Sequence, residues 1–239
     1  MRLLVFLSHS GACSRRRALD LVKQGCVTVN KQLVCEPSFE VNPGKDQVFL
    51  EGVPIEVKSY EYILLNKPKG VTTTKKDKFA KKTVMDFLPK ELQHLYPVGR
   101  LDRDTEGLLL LTNNGGLAHG LMHPRFEVDK VYQAEVKGRL KENDRVRLQE
   151  GIILEGRRTA PCKINQVVFN SLSTFFEITL HEGRKRQIRL MLTDLGYPVL
   201  ALKRIQEGPI RLGDLPEGKW RSLNDNEIGN LKSAVEGRV

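Results

Sequence analysis

The sequence predicts an α+β protein in two parts: a small α+β module over residues 1–58, and a larger domain over residues 59–239 with a mixed, largely antiparallel sheet. Three observations predict it. A chain of 239 residues has room for one large domain or two smaller ones, with a core that needs neither disulfide nor metal. Segments that read as strands outnumber those that read as helices, and the two do not alternate in a βαβ rhythm. The N-terminal segment has its own helix–helix–strand order, closed by a polar stretch over residues 53–61 that contains Pro54 and reads as a linker or a domain edge.

The elements follow in order. Leu3, Leu4, Phe6 and Leu7 are spaced for an amphipathic helix that Gly11 would end. Ser14 then sits as the N-cap of a second helix carrying Ala18, Leu19, Leu21 and Val22 on its apolar side, with Gly25 at its stop. Residues 26–30 read as a strand, Asn30-Lys31 as a turn into 32–35, and 48–50 as another strand. In the larger domain, strands are expected over 62–65, 95–98, 107–112, 131–136, 174–180 and 199–205. Helices are expected over 117–122, stopped before Pro124, and over 187–195, closed by Gly196.

Composition narrows the function. Lys plus Arg number 39 against 29 Asp plus Glu, a net charge of +10, which favours an anionic partner such as RNA, DNA or a membrane surface. Seven lysines and one Asp crowd residues 67–82, which read equally well as a solvated loop or as a phosphate-binding one. The four cysteines form no Cys-x-x-Cys pair, so structural zinc is not expected and reduced thiols in the cytoplasm are. The start, MRLLVFLSHSG, is too short in its apolar run for a signal peptide, and no stretch is long enough for a membrane span. The protein is expected to be cytoplasmic and monomeric.

The most informative stretch is GRLDRDTEGLLLLTNNG, residues 99–115. Asp102, Asp104 and Glu106 imitate the opening of a calcium loop. That motif needs an acid at its twelfth position, here Asn113, and its later positions fall on Leu108 to Leu111, an apolar strand. Arg100 and Arg103 would also repel a cation. Two readings stay open on physics alone: a solvated turn, or one rigidly held carboxylate that does chemistry. A second basic feature is SRRRALDLVKQG, where Arg15, Arg16 and Arg17 occupy a helix's first turn. The helix dipole disfavours cations there, so an external anion on the arginines and free N–H groups is one reading and a merely exposed basic start the other.

Resemblance adds to this. SRRRALDLVKQGCVTVNK, within a match running from Arg2 to Val57, resembles the αL-type RNA-binding module of ribosomal and rRNA-modifying proteins. GRLDRDTEGLLLLTNNG, DKVYQAEVKG (129–138) and HEGRKRQIRLM (181–191) together resemble, in order, the signatures of the RsuA-like family of rRNA pseudouridine synthases. The resemblance implies an isomerase that converts uridine to pseudouridine in ribosomal RNA, with no cofactor and no metal. It implies Asp102 as the essential carboxylate, Tyr132 as an active-site ring and Arg189 as the basic partner of Asp102. Lys67, Lys69, Arg100, Arg184, Lys185 and Arg186, with Arg15, Arg16 and Arg17, are the expected RNA contacts. LMHP (121–124) leans the reading towards large-subunit RNA. The alternatives are a non-catalytic RNA-binding or ribosome-assembly factor, and a synthase acting on tRNA.

Overall fold

The computed structural model describes residues 1–236, which divide into two compact units: Met1–Glu61 with Asn113–Gly115, and Tyr62–Thr112 with Gly116 onward. In the first, α1 (Leu3–His9) and α2 (Arg15–Lys23) pack on a four-stranded sheet. The strands β1 (Val27–Val29), β2 (Gln32–Leu33), β3 (Val48–Leu50) and β4 (Val53–Ile55) run in the order β2-β1-β3-β4. Ser14 caps α2 as expected, its Oγ accepting from the Arg17 N–H at 3.2 Å. Asn30 and Lys31 turn the β1–β2 hairpin with φ of 51° and 68°, the paired left-handed conformation that matches the twist of two antiparallel strands. Leu3, Phe6, Leu7, Ala18, Val22 and Val27 form the centre of this core. Residues 53–61 are not wholly linker: β4 pairs with β3.

The second unit is built on a nine-stranded sheet. Its strands are β5 (Tyr62–Lys67), β6 (Tyr96–Pro97), β7 (Glu106–Thr112), β8 (Lys130–Lys137), β11 (Lys163–Phe169), β12 (Ser173–Leu180), β13 (Val199–Glu207), β14 (Ile210–Arg211) and β15 (Trp220–Ser222), while β9 (Ile153–Leu154) and β10 (Arg157–Arg158) form a separate hairpin. The main order is β11-β12-β8-β13-β7-β5-β15, with β14 beside β13 and β6 beside β7. Every pairing is antiparallel except β13 with β7. That parallel seam spans two residue pairs, Lys203↔Glu106 and Arg204↔Gly107. It joins two antiparallel halves, each with its own core.

The helices cover the sheet. These are α3 (Gly115–Met122), α4 (Glu142–Glu150), α5 (Gln187–Asp194) and α6 (Asp225–Glu236). One core gathers α4, α5 and the β8–β13 half around Val136, Leu148, Ile178, Met191 and Leu192. Two others flank the β5–β7 half, around Leu64, Leu108 and Leu121 on one side and Leu65, Val84, Leu95 and Leu109 on the other. β5 and β7 carry near-continuous apolar runs because both their faces are covered. Helix α4 escapes sequence reading because it buries only Leu148 and so has no apolar stripe. Among the described residues no helix is long and apolar enough to cross a membrane.

Candidate active site

The turn that precedes β7 is held by one side chain. Lys67, at the end of β5, is 0% exposed, and its Nζ donates to three backbone carbonyls: Thr105 at 2.7 Å, Pro68 at 3.0 Å and Asp102 at 3.2 Å. An ammonium has three N–H groups, and each finds an acceptor here. Burial pushes this lysine down to about 8, against the pull of Asp104, Asp102 and Glu106. Lys67 therefore is not the phosphate contact expected from the sequence: it lies inside the fold with its donors spent on the turn. Two further ties join the same segments. Gly70 N–H donates to the Arg103 carbonyl at 2.7 Å, and Thr73 Oγ1 both donates to the Leu101 carbonyl and accepts from the Leu101 N–H.

Asp102 projects from this turn, half-buried, into a cleft of about 740 Å³. Among the described residues its carboxylate enters no ion pair. Tyr132 of β8 lines the same cleft. Behind Tyr132 stands a charged pair that sequence reading missed. Arg204 is opposite Tyr132 in the β8–β13 register, and Glu207 is opposite Lys130. Arg204 is 2% exposed and Glu207 0%, and they face each other at 3.1 Å. The Arg204 Nε donates to the Leu108 carbonyl at 2.8 Å, and its positive charge acts on the Tyr132 hydroxyl. Burial raises the Tyr132 phenol above its ordinary range despite Arg204, so it is neutral near pH 7. Gly107 permits this arrangement. Its φ is +104°, and a Cβ there would lie 2.2 Å from the Arg204 carbonyl oxygen.

Arg189 takes a different partner from the one expected. It is 9% exposed, and it donates to the Asp104 carbonyl at 2.8 Å while its Nε lies 3.4 Å from the Asp104 carboxylate. Arg186, in the left-handed conformation that starts α5, grips the same carboxylate through both terminal nitrogens at 3.1 Å. Burial alone would raise the Asp104 carboxyl, but the Arg186 hydrogen bonds and the Arg189 charge hold it below the ordinary carboxylate range. Arg186, just before α5, and Arg189, within it, thus fasten the residue two positions after Asp102, and Arg189 reaches Asp102 only as a nearby charge.

The other expected RNA contacts divide. Arg100 and Lys185 are exposed at the cleft. Lys69 is exposed, as are Arg15, Arg16 and Arg17 on α2 of the first unit. Arg184 lines the cleft but donates to the Arg157 carbonyl at 3.1 Å and pairs with Glu182 at 3.3 Å, so part of its donor set is spent within the fold.

Residues 61–194 match the RNA pseudouridylate synthase family. The chain belongs to that family. Residues 1–48 match the S4 domain, an RNA-binding module. An uncharacterized RNA pseudouridine synthase of Aquifex aeolicus (strain VF5) is 41% identical over 98% of this chain and 95% of its own length. Ribosomal large subunit pseudouridine synthase B of Bacillus subtilis (strain 168) is 40% identical over 98% of this chain and 97% of its own. The crystal structure of a pseudouridylate synthase, 29% identical, superposes with a TM-score of 0.69 over 97% of this chain and 99% of that one. The protein is thus an RNA pseudouridine synthase, an isomerase, with an N-terminal S4 domain.

Proposed function

We propose that this synthase converts uridine to pseudouridine in large-subunit ribosomal RNA, with Asp102 as the essential carboxylate. The observation that carries the reading is the Asp102 turn itself. Its backbone is fixed by a buried lysine, while its carboxylate faces the cleft opposite Tyr132, free of ion pairs among the described residues. A rigid backbone with an unengaged carboxylate suits a group that must act on a substrate rather than hold the fold together.

The reaction is an isomerisation. The bond between the ribose and ring nitrogen one breaks, the base turns, and ring carbon five bonds to the ribose. The hydrogen lost from that carbon is balanced by one gained at the nitrogen. Asp102 serves in its ionised form, whether it attacks the sugar, attacks the ring or deprotonates the sugar. The neutral Tyr132 ring offers a stacking face for an extruded base, and its hydroxyl a partner for a proton. Arg100 and Lys185 at the cleft rim suit backbone phosphates. Residues 1–58 serve as the RNA-binding domain, with Arg15, Arg16 and Arg17 as its phosphate contacts, and residues 59–239 as the catalytic domain. The large-subunit target is supported by the name of the Bacillus subtilis relative.

The test is pseudouridine mapping in rRNA from cells lacking the gene, complemented with wild type or Asp102→Asn. Wild type should restore at least one large-subunit site and the variant none. An active Asp102→Asn enzyme would remove the catalytic assignment. A change confined to tRNA would remove the target.

A further inference from the structure

We propose that the lysine-rich loop between Thr72 and Thr83 is an RNA-grasping element in which Phe79 stacks on an unpaired base close to the target uridine. The inference rests on the RNA-modifying reading above and adds to it a contact that belongs to neither the cleft nor the S4 domain.

Phe79 is 96% exposed, more than any other large apolar side chain among the described residues; Leu172 follows at 81%. Its neighbours are Lys75, Lys76, Lys78, Lys81 and Lys82 against the single Asp77, and all six are exposed. A bare phenyl ring inside a net positive segment is poorly suited to a protein core, and it matches what single-stranded RNA offers: a base face to stack on, flanked by phosphates.

The loop is also built to present that ring. Its two ends are joined by the Thr72 N–H donating to the Lys82 carbonyl at 3.0 Å and the Val84 N–H donating to the Thr72 carbonyl at 3.1 Å. Asp86 accepts from the Thr83 N–H at 2.7 Å and caps the short helical turn that follows. At the tip, the Asp77 carboxylate accepts from the Phe79 N–H at 2.9 Å and sets a local turn. At the base, Thr73 is bonded in both directions to Leu101, the residue before Asp102. The loop therefore springs from the backbone that carries the catalytic carboxylate, which is where an element gripping RNA beside the target belongs. The bunched charge points the same way. Lys75, whose Nζ donates to the His94 carbonyl at 2.9 Å, is lowered by burial and then by the charge of Lys76, and a phosphate would relieve that second part.

The experiment measures equilibrium binding of an unmodified in vitro transcript of the large-subunit rRNA to the full-length protein, in an Asp102→Asn background so that the RNA stays unconverted. Phe79→Ala should raise Kd by about 5- to 150-fold, the range for losing one stacked base, and leave the salt dependence unchanged. Phe79→Trp should restore affinity and Phe79→Leu should not. Lys76→Gln with Lys78→Gln should instead flatten the salt dependence by about 0.7 per lost phosphate contact. Parental affinity in Phe79→Ala, or in Phe79→Leu, overturns the stacking role while the enzyme's activity on rRNA stands. Phe79-dependent binding to anionic lipid vesicles without any effect on RNA affinity overturns it in favour of a membrane. Failure of the parent to bind the transcript overturns the large-subunit rRNA reading and this inference with it.

Discussion

Gly107→Ala should unfold the larger unit at a much lower temperature than any other glycine-to-alanine change near the site. Gly107 has a φ of +104°, and its added Cβ would meet the Arg204 carbonyl oxygen at 2.2 Å and the Arg204 nitrogen at 2.8 Å. Both are backbone atoms of the paired strand, so no side-chain rotation relieves the overlap. The left-handed conformation alone costs an L-residue about 1–2 kcal/mol, and forcing extra volume into a packed site about 1–3 kcal/mol more. If the strands part, the Arg204–Leu108 hydrogen bond, 2.8 Å long and made by a buried cation, is lost as well, at about 1.5–3 kcal/mol. The total is about 3.5–8 kcal/mol. A unit of this size loses about 2–4 °C of Tm per kcal/mol, so the fall should be about 7–32 °C. Gly70→Ala is the matched control: φ is +84° and nothing lies within 4 Å of the added Cβ, so only the backbone cost of about 1–2 kcal/mol remains. Thermal melts followed by circular dichroism decide it. If the two variants melt within about 3 °C of each other, the close approach of β7 and β13 does not constrain this fold as argued.

Three further outcomes follow from the site. Above pH 8 the Lys67 amine keeps two hydrogens for three carbonyls, so kcat should fall with an apparent pKa near 8. Over the same range this group's contribution to stability should rise, because between about 8 and 10.5 the unfolded chain holds a proton that the folded one has released. An alkaline plateau in the pH–rate profile through pH 10 would contradict this. Asp104→Asn should cost about 1–2 kcal/mol, mostly at the buried Arg189, since the exposed Arg186 pair contributes little. It should also lower kcat by about ten- to a hundredfold by loosening the Asp102 turn from α5; unchanged melts and turnover would show the pair to be idle. Replacing Arg15, Arg16 and Arg17 by Glu should weaken rRNA binding and reduce its salt slope by about 2–3. The helix itself should be no less stable, because acids suit its first turn, so lost affinity with an intact melt is the expected pattern and unchanged affinity refutes the role.

Local signals in the chain announced what local physics determines. The Ser14 cap, the Asn30-Lys31 turn and the apolar strand behind Asp102 each depend on residues within a few positions, and each formed as read. What escaped reading depends on partners far away in the chain. Lys67 stands beside Pro68, Lys69 and Gly70 and looks like the start of a solvated basic loop; its burial is decided by carbonyls of Asp102 and Thr105, more than thirty positions on. One clue was available: it ends a strand whose preceding residues are nearly all apolar. Arg204 offered another, since it shares the sheet face of the buried Leu202. Resemblance singled out Arg189, but only the register between α5 and the turn could assign it to Asp104 rather than Asp102. β11, a largely exposed edge strand with a register shift, gave neither a clean alternation nor an apolar run.

The parallel seam has a consequence for how the enzyme comes into being. Gly107 and Arg204 are 97 positions apart (204 minus 107), so their pairing closes a long loop, as does that of Leu65 with Trp220 at 155 (220 minus 65). Long closures carry an entropy cost that must be met before their contacts form. Both are thus late joints in the larger unit's assembly, and the seam is the one that brings the two antiparallel halves together. Asp102 arrives with one half and Tyr132 with the other, so the reaction centre does not exist until that joint closes. Recovery of activity on refolding should lag behind recovery of secondary structure, and catalysis becomes a timer for the closing of the seam.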